Sequence, residues 1–281
     1  MKPSQIDPLL KAALREDVGS KDLTSSALIP KSAFVKADIA FKENGVLCGI
    51  GLAERVFRLV DEDLRFLPVA EDGESIEKDR EIAYIEGRGP SILIAERTAL
   101  NFLSRLSGIA TLTRAFVEKV KGTSAKIMDT RKTTPTLRFL ERYAVKTGGG
   151  VNHRLGLFDE ILIKDNHLRI LLNQPLTEIV ARAKASAQKK TAVGVEVKNL
   201  KECAEALKSK ADYILLDNLS VSEVKEAVAL RAKAGAGIDL EVSGGIWLGN
   251  VREYAETGVE RISVGSLTHS SPAVDISLNM V

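Results

Sequence analysis

Nine basic side chains crowd one short stretch of this sequence: Arg131, Lys132, Arg138, Arg142, Lys146, His153, Arg154, Lys164 and His167, set around Gly148-Gly149-Gly150. The acids between Asp129 and His167 are Asp129, Glu141, Asp159, Glu160 and Asp165. The whole chain has a formal charge of only +2, so the concentration is local. It predicts a small ligand bearing several negative charges. Arginine suits such a ligand because its planar fork meets a carboxylate through two hydrogen bonds. Further on, Glu196 and Asp217 supply carboxylates, and Ser243-Gly244-Gly245 and Val264-Gly265-Ser266 supply glycine-rich turns. Turns of that kind bring backbone N–H groups close to a phosphate. A sugar phosphate held with magnesium, reacting with an anionic acceptor, would use all three sets, since magnesium favours carboxylates together with ligand oxygens.

These residues need a scaffold that gathers them. From about Thr123, short β-rich runs alternate with helical patterns. Strands are predicted at 125–128, 161–163, 193–197, 213–216, 240–242 and 261–264. Helices are predicted at 137–146, 176–189, 200–208, 222–234 and 251–257. A repeated βα order implies parallel strands with helical crossovers. Asp129, Lys164, Glu196, Asp217, Ser243 and Gly265 fall at or near the C-terminal strand ends, which favours a barrel rim over an open-sheet crevice.

The first third reads as mixed α and β. Apolar spacing predicts helices over 4–16 and 52–60, and strands over 36–41, 64–69 and 80–85, with Pro68 confining its strand to an edge. Gly87-Arg88-Gly89-Pro90 reads as a breaker, and Pro90 suits the first turn of a long helix on which Arg97, Asn101 and Arg105 share a polar face.

Several function classes are disfavoured. Net charge near zero and 5% aromatic content argue against nucleic-acid binding. No apolar run approaches the ~20 residues of a membrane span, and the N-terminal residues lack a signal peptide's apolar stretch. Cys48 and Cys203, far apart, fit a reducing cytoplasm and neither a disulfide framework nor a zinc site.

Three blocks closely resemble the quinolinate phosphoribosyltransferase (decarboxylating) family: Asp129-Thr130-Arg131-Lys132-Thr133-Thr134-Pro135, Lys146 through Leu157 with its Gly-Gly-Gly-Val-Asn-His-Arg core, and Ile163-Lys164-Asp165-Asn166-His167. The likeness continues through Val195-Glu196-Val197, Leu216-Asp217-Asn218, Glu241-Val242-Ser243-Gly244-Gly245-Ile246 and Ile262 to His269, with weaker echoes at Glu16-Asp17, Asp22-Leu23-Thr24, Gly45 to Gly49 and Glu96-Arg97. Thr136 departs from it, where family members often carry glycine.

The resemblance implies an N-terminal open-faced α/β sandwich, residues 1–105 joined by 270–281, and a C-terminal incomplete (β/α) barrel, 106–269, of the type II phosphoribosyltransferase kind. It implies a pentosyltransferase that joins quinolinate to phosphoribosyl pyrophosphate with magnesium, as a homodimer or a further assembled hexamer, each barrel mouth closed by a neighbour. Thr130, Arg131, Lys132, His153, Arg154 and Lys164 are then expected around quinolinate, with Arg97 reaching in from the partner. Lys132, Lys164, Glu196 and Asp217 are expected at the reacting centre, with Glu196 and Asp217 near magnesium. Ser243, Gly244, Gly245, Val264, Gly265 and Ser266 are expected around the 5′-phosphate. The density of cations favours a diacid over nicotinate, which has one carboxylate. The chief rival is a paralogue acting on another acceptor, such as the molybdenum-transport-associated relative that shares much of this motif set. From a different class, a non-catalytic phosphate-sensing barrel is the rival, and it has no use for the acidic pair.

Simpler readings exist for other residues. Arg138 and Arg142, at i and i+4 with Glu141, read as a solvated helix face. His167 reads equally as a helix cap or a ligand group. His269 reads as a loop residue satisfied by backbone. Trp247 reads as packing near the phosphate turn, and the cysteines as small buried hydrophobes.

Overall fold

The computed structural model describes residues 3–171, 174–188 and 191–281. The chain divides into two compact units, Met1–Thr111 with Ser271–Val281, and Leu112–Ser270. The division falls inside a helix, a few residues beyond the expected 105/106 boundary.

The first unit begins with helices α1 (Pro3–Val18) and α2 (Leu23–Leu28), then β1 (Phe34–Phe41), the short β2 (Gly45–Val46), α3 (Ile50–Val60), β3 (Arg65–Pro68), the short β4 (Ser75–Ile76) and β5 (Glu81–Arg88). Alternation builds its sheet: Ala37, Ile39, Phe66, Ala83 and Ile85 are buried, whereas Leu67 and Tyr84 stay exposed on the other face. Leu52, Ala53, Val56 and Phe57 form the buried stripe of α3, and the Phe57 and Phe66 rings meet at 5.6 Å. One face covered and one open is the sandwich expected. Pro68 ends β3 on the sheet edge, where its missing N–H costs no ladder bond.

Gly87 and Arg88 do not break the chain. They extend β5 opposite Val35 and Phe34, so the interruption falls at Gly89. Helix α4 (Gly89–Lys119) starts there, with Pro90 in its first turn, and runs through both units.

The second unit holds β6 (Lys126–Met128), α5 (Arg138–Thr147), β7 (Ile161–Ile163), α6 (Asp165–Ile170), α7 (Leu176–Ser186), β8 (Val193–Val197), α8 (Leu200–Ala206), β9 (Tyr213–Asp217), α9 (Val221–Ala234), β10 (Asp239–Ser243), α10 (Val251–Ala255), β11 (Arg261–Ser263) and α11 (Ser266–His269). The six strands are parallel, in the order β6-β11-β10-β9-β8-β7, which makes the incomplete barrel. Every residue of β8 is buried, as a strand covered on both faces requires. Helix α7 stops at Ser186, short of the predicted end at Lys189, which lies outside the described residues. After the barrel, β12 (Ile276–Met280) pairs antiparallel with β1 in the first unit. Among the described residues no helix is long and apolar enough to cross a membrane.

Candidate active site

The C-terminal strand ends of the second unit surround a cavity of about 670 Å³. Thr130, Arg131, Lys132, His153, Arg154, Lys164, Glu196, Asp217, Ser243, Gly244, Gly245, Val264, Gly265 and Ser266 all line it. Arg97 does not: it lies on α4 in the first unit. The wall also includes Leu162, Leu215, Glu241, Ile246, Ser263 and His269.

The cationic side is built on Asp129, fully buried just past β6. It accepts from the His153 N–H at 2.7 Å and from the Asn152 side-chain amide at 2.8 Å. Arg142 stands 3.6 Å from the same carboxylate and donates to the His153 carbonyl. The glycine-rich loop is thereby pinned to β6, with a parallel bridge between Met128 and Val151. Burial pushes the Asp129 carboxyl up to about 6, against the opposing pull of the His153 N–H and Arg142. Arg138 ties the two cationic loops together, donating to Thr133 Oγ1 at 2.9 Å, the Leu155 carbonyl at 3.1 Å and the Arg131 carbonyl at 3.3 Å. The solvated-face reading of Arg138 and Arg142 is therefore corrected, because the loops fold over that side of α5. Lys146, in contrast, is exposed.

Arg131 is left in an unusual state. Its Nε is buried and has no hydrogen-bond partner among the described residues. Burial, and then the positive charges of Arg154 and Arg138, hold its pKa below the ordinary guanidinium value. An unfilled Arg131 donor in the field of two further cations is suited to an anionic ligand.

The acidic side stands on β8 and β9, four and three strands from β6 in the sheet. Glu196, in β8, pairs with the Lys164 ammonium. Lys164 is also the N-cap of α6, where its N–H donates to His167 Nδ1 at 2.9 Å. His167 is thus the cap of the two readings. Asp217 closes β9, and its Oδ2 accepts from Asn218 Nδ2 at 2.9 Å.

The turns follow β10 and β11. Gly244 has φ 92°, and a Cβ on it would lie 2.1 Å from Asn218 Oδ1, so only glycine fits. Thr268 Oγ1 donates to the Lys132 carbonyl at 2.6 Å, which brings the Lys132 loop against α11. His269 also departs from expectation: it lines the cavity, and its ring lies against Gly265. Trp247 lays its ring over Gly249, just past the turn, but stays 63% exposed.

Glu241 and Ser263 were not singled out from sequence. Glu241 is fully buried, accepts from Ser263 Oγ at 2.6 Å and faces His153 Nε2 at 3.2 Å. An acid flanked by Leu240 and Val242 inside an apolar strand was the available signal.

Parallel strands with a cationic side, an acidic pair and a glycine-lined turn at one rim define an α/β-barrel enzyme for a small polyanion and a phosphorylated sugar. Comparison with known proteins gives the family. Residues 22–107 match the quinolinate phosphoribosyl transferase N-terminal domain, and residues 109–279 match its C-terminal domain. The chain belongs to this family. It is 38% identical over 280 residues to a probable nicotinate-nucleotide pyrophosphorylase [carboxylating] of Bacillus subtilis, covering 100% of this chain and 95% of that one. It is 41% identical to the protein of the same name from Methanocaldococcus jannaschii, covering 97% and 96%. The solved structure of NadC from Streptococcus pyogenes superposes with a TM-score of 0.93 at 39% identity, covering 100% and 99%.

Proposed function

We infer that this chain transfers the phosphoribosyl group of phosphoribosyl pyrophosphate to the ring nitrogen of quinolinate. The products are nicotinate mononucleotide, pyrophosphate and carbon dioxide, for NAD biosynthesis. The observation that carries the residue assignment is Arg131: a buried, unpartnered guanidinium nitrogen beside Arg154 and Arg138. Two carboxylates on one small ring answer that charge better than one.

Arg131 and Arg154 clamp the carboxylates, with Thr130, Lys132 and Lys164 completing the wall. Lys164 exchanges its Glu196 partner for the anionic ligand. Glu196 and Asp217 face the ribose hydroxyls and favour positive character at C1 as the bond to pyrophosphate loosens. Ser243, Gly244, Gly245, Val264, Gly265 and Ser266 take the 5′-phosphate. The quinolinate nitrogen attacks C1 directly, with no protein nucleophile, so catalysis is positioning and charge stabilisation. The ribosylated ring is cationic and draws the electron pair of the breaking C2–carboxylate bond onto C2. Carbon dioxide leaves and C2 takes up a proton.

Glu196 and Asp217 offer the hard oxygen donors that suit magnesium, and the described residues contain no group of three or more metal-binding side chains. The ion would therefore be shared with substrate oxygens, where it would neutralise the pyrophosphate. The buried thiols of Cys48 and Cys203, with no cysteine-rich framework around them, suit a reducing cytoplasm, which cell fractionation would check.

A second copy is also proposed at the mouth. Leu157 and Phe158, in the loop after Arg154, are 75% and 81% exposed. Apolar side chains that open fit burial against a partner, whose Arg97 would complete the clamp. Sedimentation should give at least a dimer, and a fully active monomer contradicts this.

The test of the reaction supplies quinolinate or nicotinate with phosphoribosyl pyrophosphate and magnesium. Pyrophosphate release with quinolinate and little with nicotinate is expected, and the reverse preference overturns the assignment.

A further inference from the structure

We propose that Glu241 is a positioning residue that acts through His153 to aim Arg154. The inference rests on the reading that Arg154 grips quinolinate.

His153 has no polar atom to spare. Its Nδ1 accepts the Arg154 N–H at 2.7 Å, and its Nε2 faces Glu241 Oε1 at 3.2 Å. An imidazole nitrogen that accepts a hydrogen bond carries no proton. The geometry therefore places the ring hydrogen on Nε2, where it is donated to Glu241. The main chain is used as well, His153 N–H by Asp129 and His153 carbonyl by Arg142. Tyr213 holds the ring edge-on, at a centroid distance of 5.8 Å and an angle of 76°. His153 was expected to touch the ligand, but neither of its ring nitrogens is available for that. It is the joint between β10 and the peptide that carries Arg154.

Glu241 sets the state of that joint. Its carboxylate is fully buried at the cavity floor, steadied by Ser263, with Oε2 lacking a partner among the described residues. Burying an incompletely satisfied carboxylate is costly, and another apolar residue would serve β10 better. Without Glu241, the ring hydrogen can move to Nδ1, where it would meet the Arg154 N–H head-on. Arg154 then loses its backbone anchor, though its guanidinium still donates to the Glu160 carbonyl at 3.3 Å.

The chain has three histidines, so ring 15N spectra give few signals. In the unmodified enzyme His153 should show the Nε2–H tautomer with Nδ1 as acceptor. Glu241→Ala should shift His153 toward mixed tautomers. It should raise KM for quinolinate about tenfold while KM for phosphoribosyl pyrophosphate and kcat move less than about threefold, as expected for loss of one orienting hydrogen bond. Glu241→Gln keeps a carbonyl oxygen for Nε2–H and should fall between the two. A protonated or Nδ1–H His153 in the unmodified enzyme overturns the proposal. So does a Glu241→Ala protein with unchanged tautomer and KM, or a Gln variant no better than the Ala variant. If Glu241→Ala does not fold, the unmodified and Gln proteins decide. The spectrum needs no turnover: the expected tautomer in a protein inactive on quinolinate would sink the functional reading alone.

Discussion

Asp129 is the residue on which the cationic side is assembled, and its ionisation should be visible in stability. Burial raises its carboxyl to about 6 in the folded protein, above the ordinary carboxylate range. Folding therefore favours the protonated form. The stabilisation is fully present below about pH 4 and is lost as pH climbs through about 6. Asp129→Asn removes the titration. The melting-temperature advantage of the unmodified protein over this variant should shrink between about pH 4 and pH 7, and an offset independent of pH contradicts it. Charge made this part of the site readable in advance. Arg131, Lys132, Arg154 and Lys164 announce an anion by their number alone. Arg138 and Arg142 were hidden, because i, i+4 arginines beside Glu141 look the same whether they meet water or a loop folded back over them. Glu241 was hidden for the opposite reason: a strand pattern tells which residues turn inward, but not that an inward acid has found a histidine from another loop.

Among the elements, period and punctuation were reliable where one force dominated. The β-rich runs of the barrel and the amphipathic α3 follow from burial alone. Failure came where glycine has two meanings, as at Gly87, which extends β5 instead of ending it. The small helix α11 was also missed, since a helix this short leaves no period to read. The loop between β6 and α5 offers a direct test of local strain. Thr136 sits at φ 67°, a left-handed conformation that β-branched residues disfavour. Thr134 nearby is fixed by the Glu141 carboxylate at 2.8 Å, so the turn cannot easily relax. Relief of about 1–2 kcal/mol of left-handed strain, less the roughly 0.5–1 kcal/mol of glycine's entropy cost, leaves a modest net gain. Thr136→Gly should raise the melting temperature slightly with kinetics intact. A lower melting temperature would show that the threonine side chain contributes more than its backbone costs.

For the molecule as a whole, the two units divide the work. The second contains the entire cavity wall, while the first contributes Arg97 only through a partner, on the reading given above. The near-zero net charge also fits, because the field that attracts the ligand is confined to one rim and needs no basic surface. The central claim is that Arg131 and Arg154 form a clamp for two carboxylates, and calorimetric titration of quinolinate tests it most directly. Arg131→Ala and Arg154→Ala should each weaken binding by on the order of 2–5 kcal/mol, the cost of leaving a buried charge without its partner, while circular dichroism stays unchanged. Quinolinate affinity within about twofold of the unmodified protein in either folded variant would contradict the account.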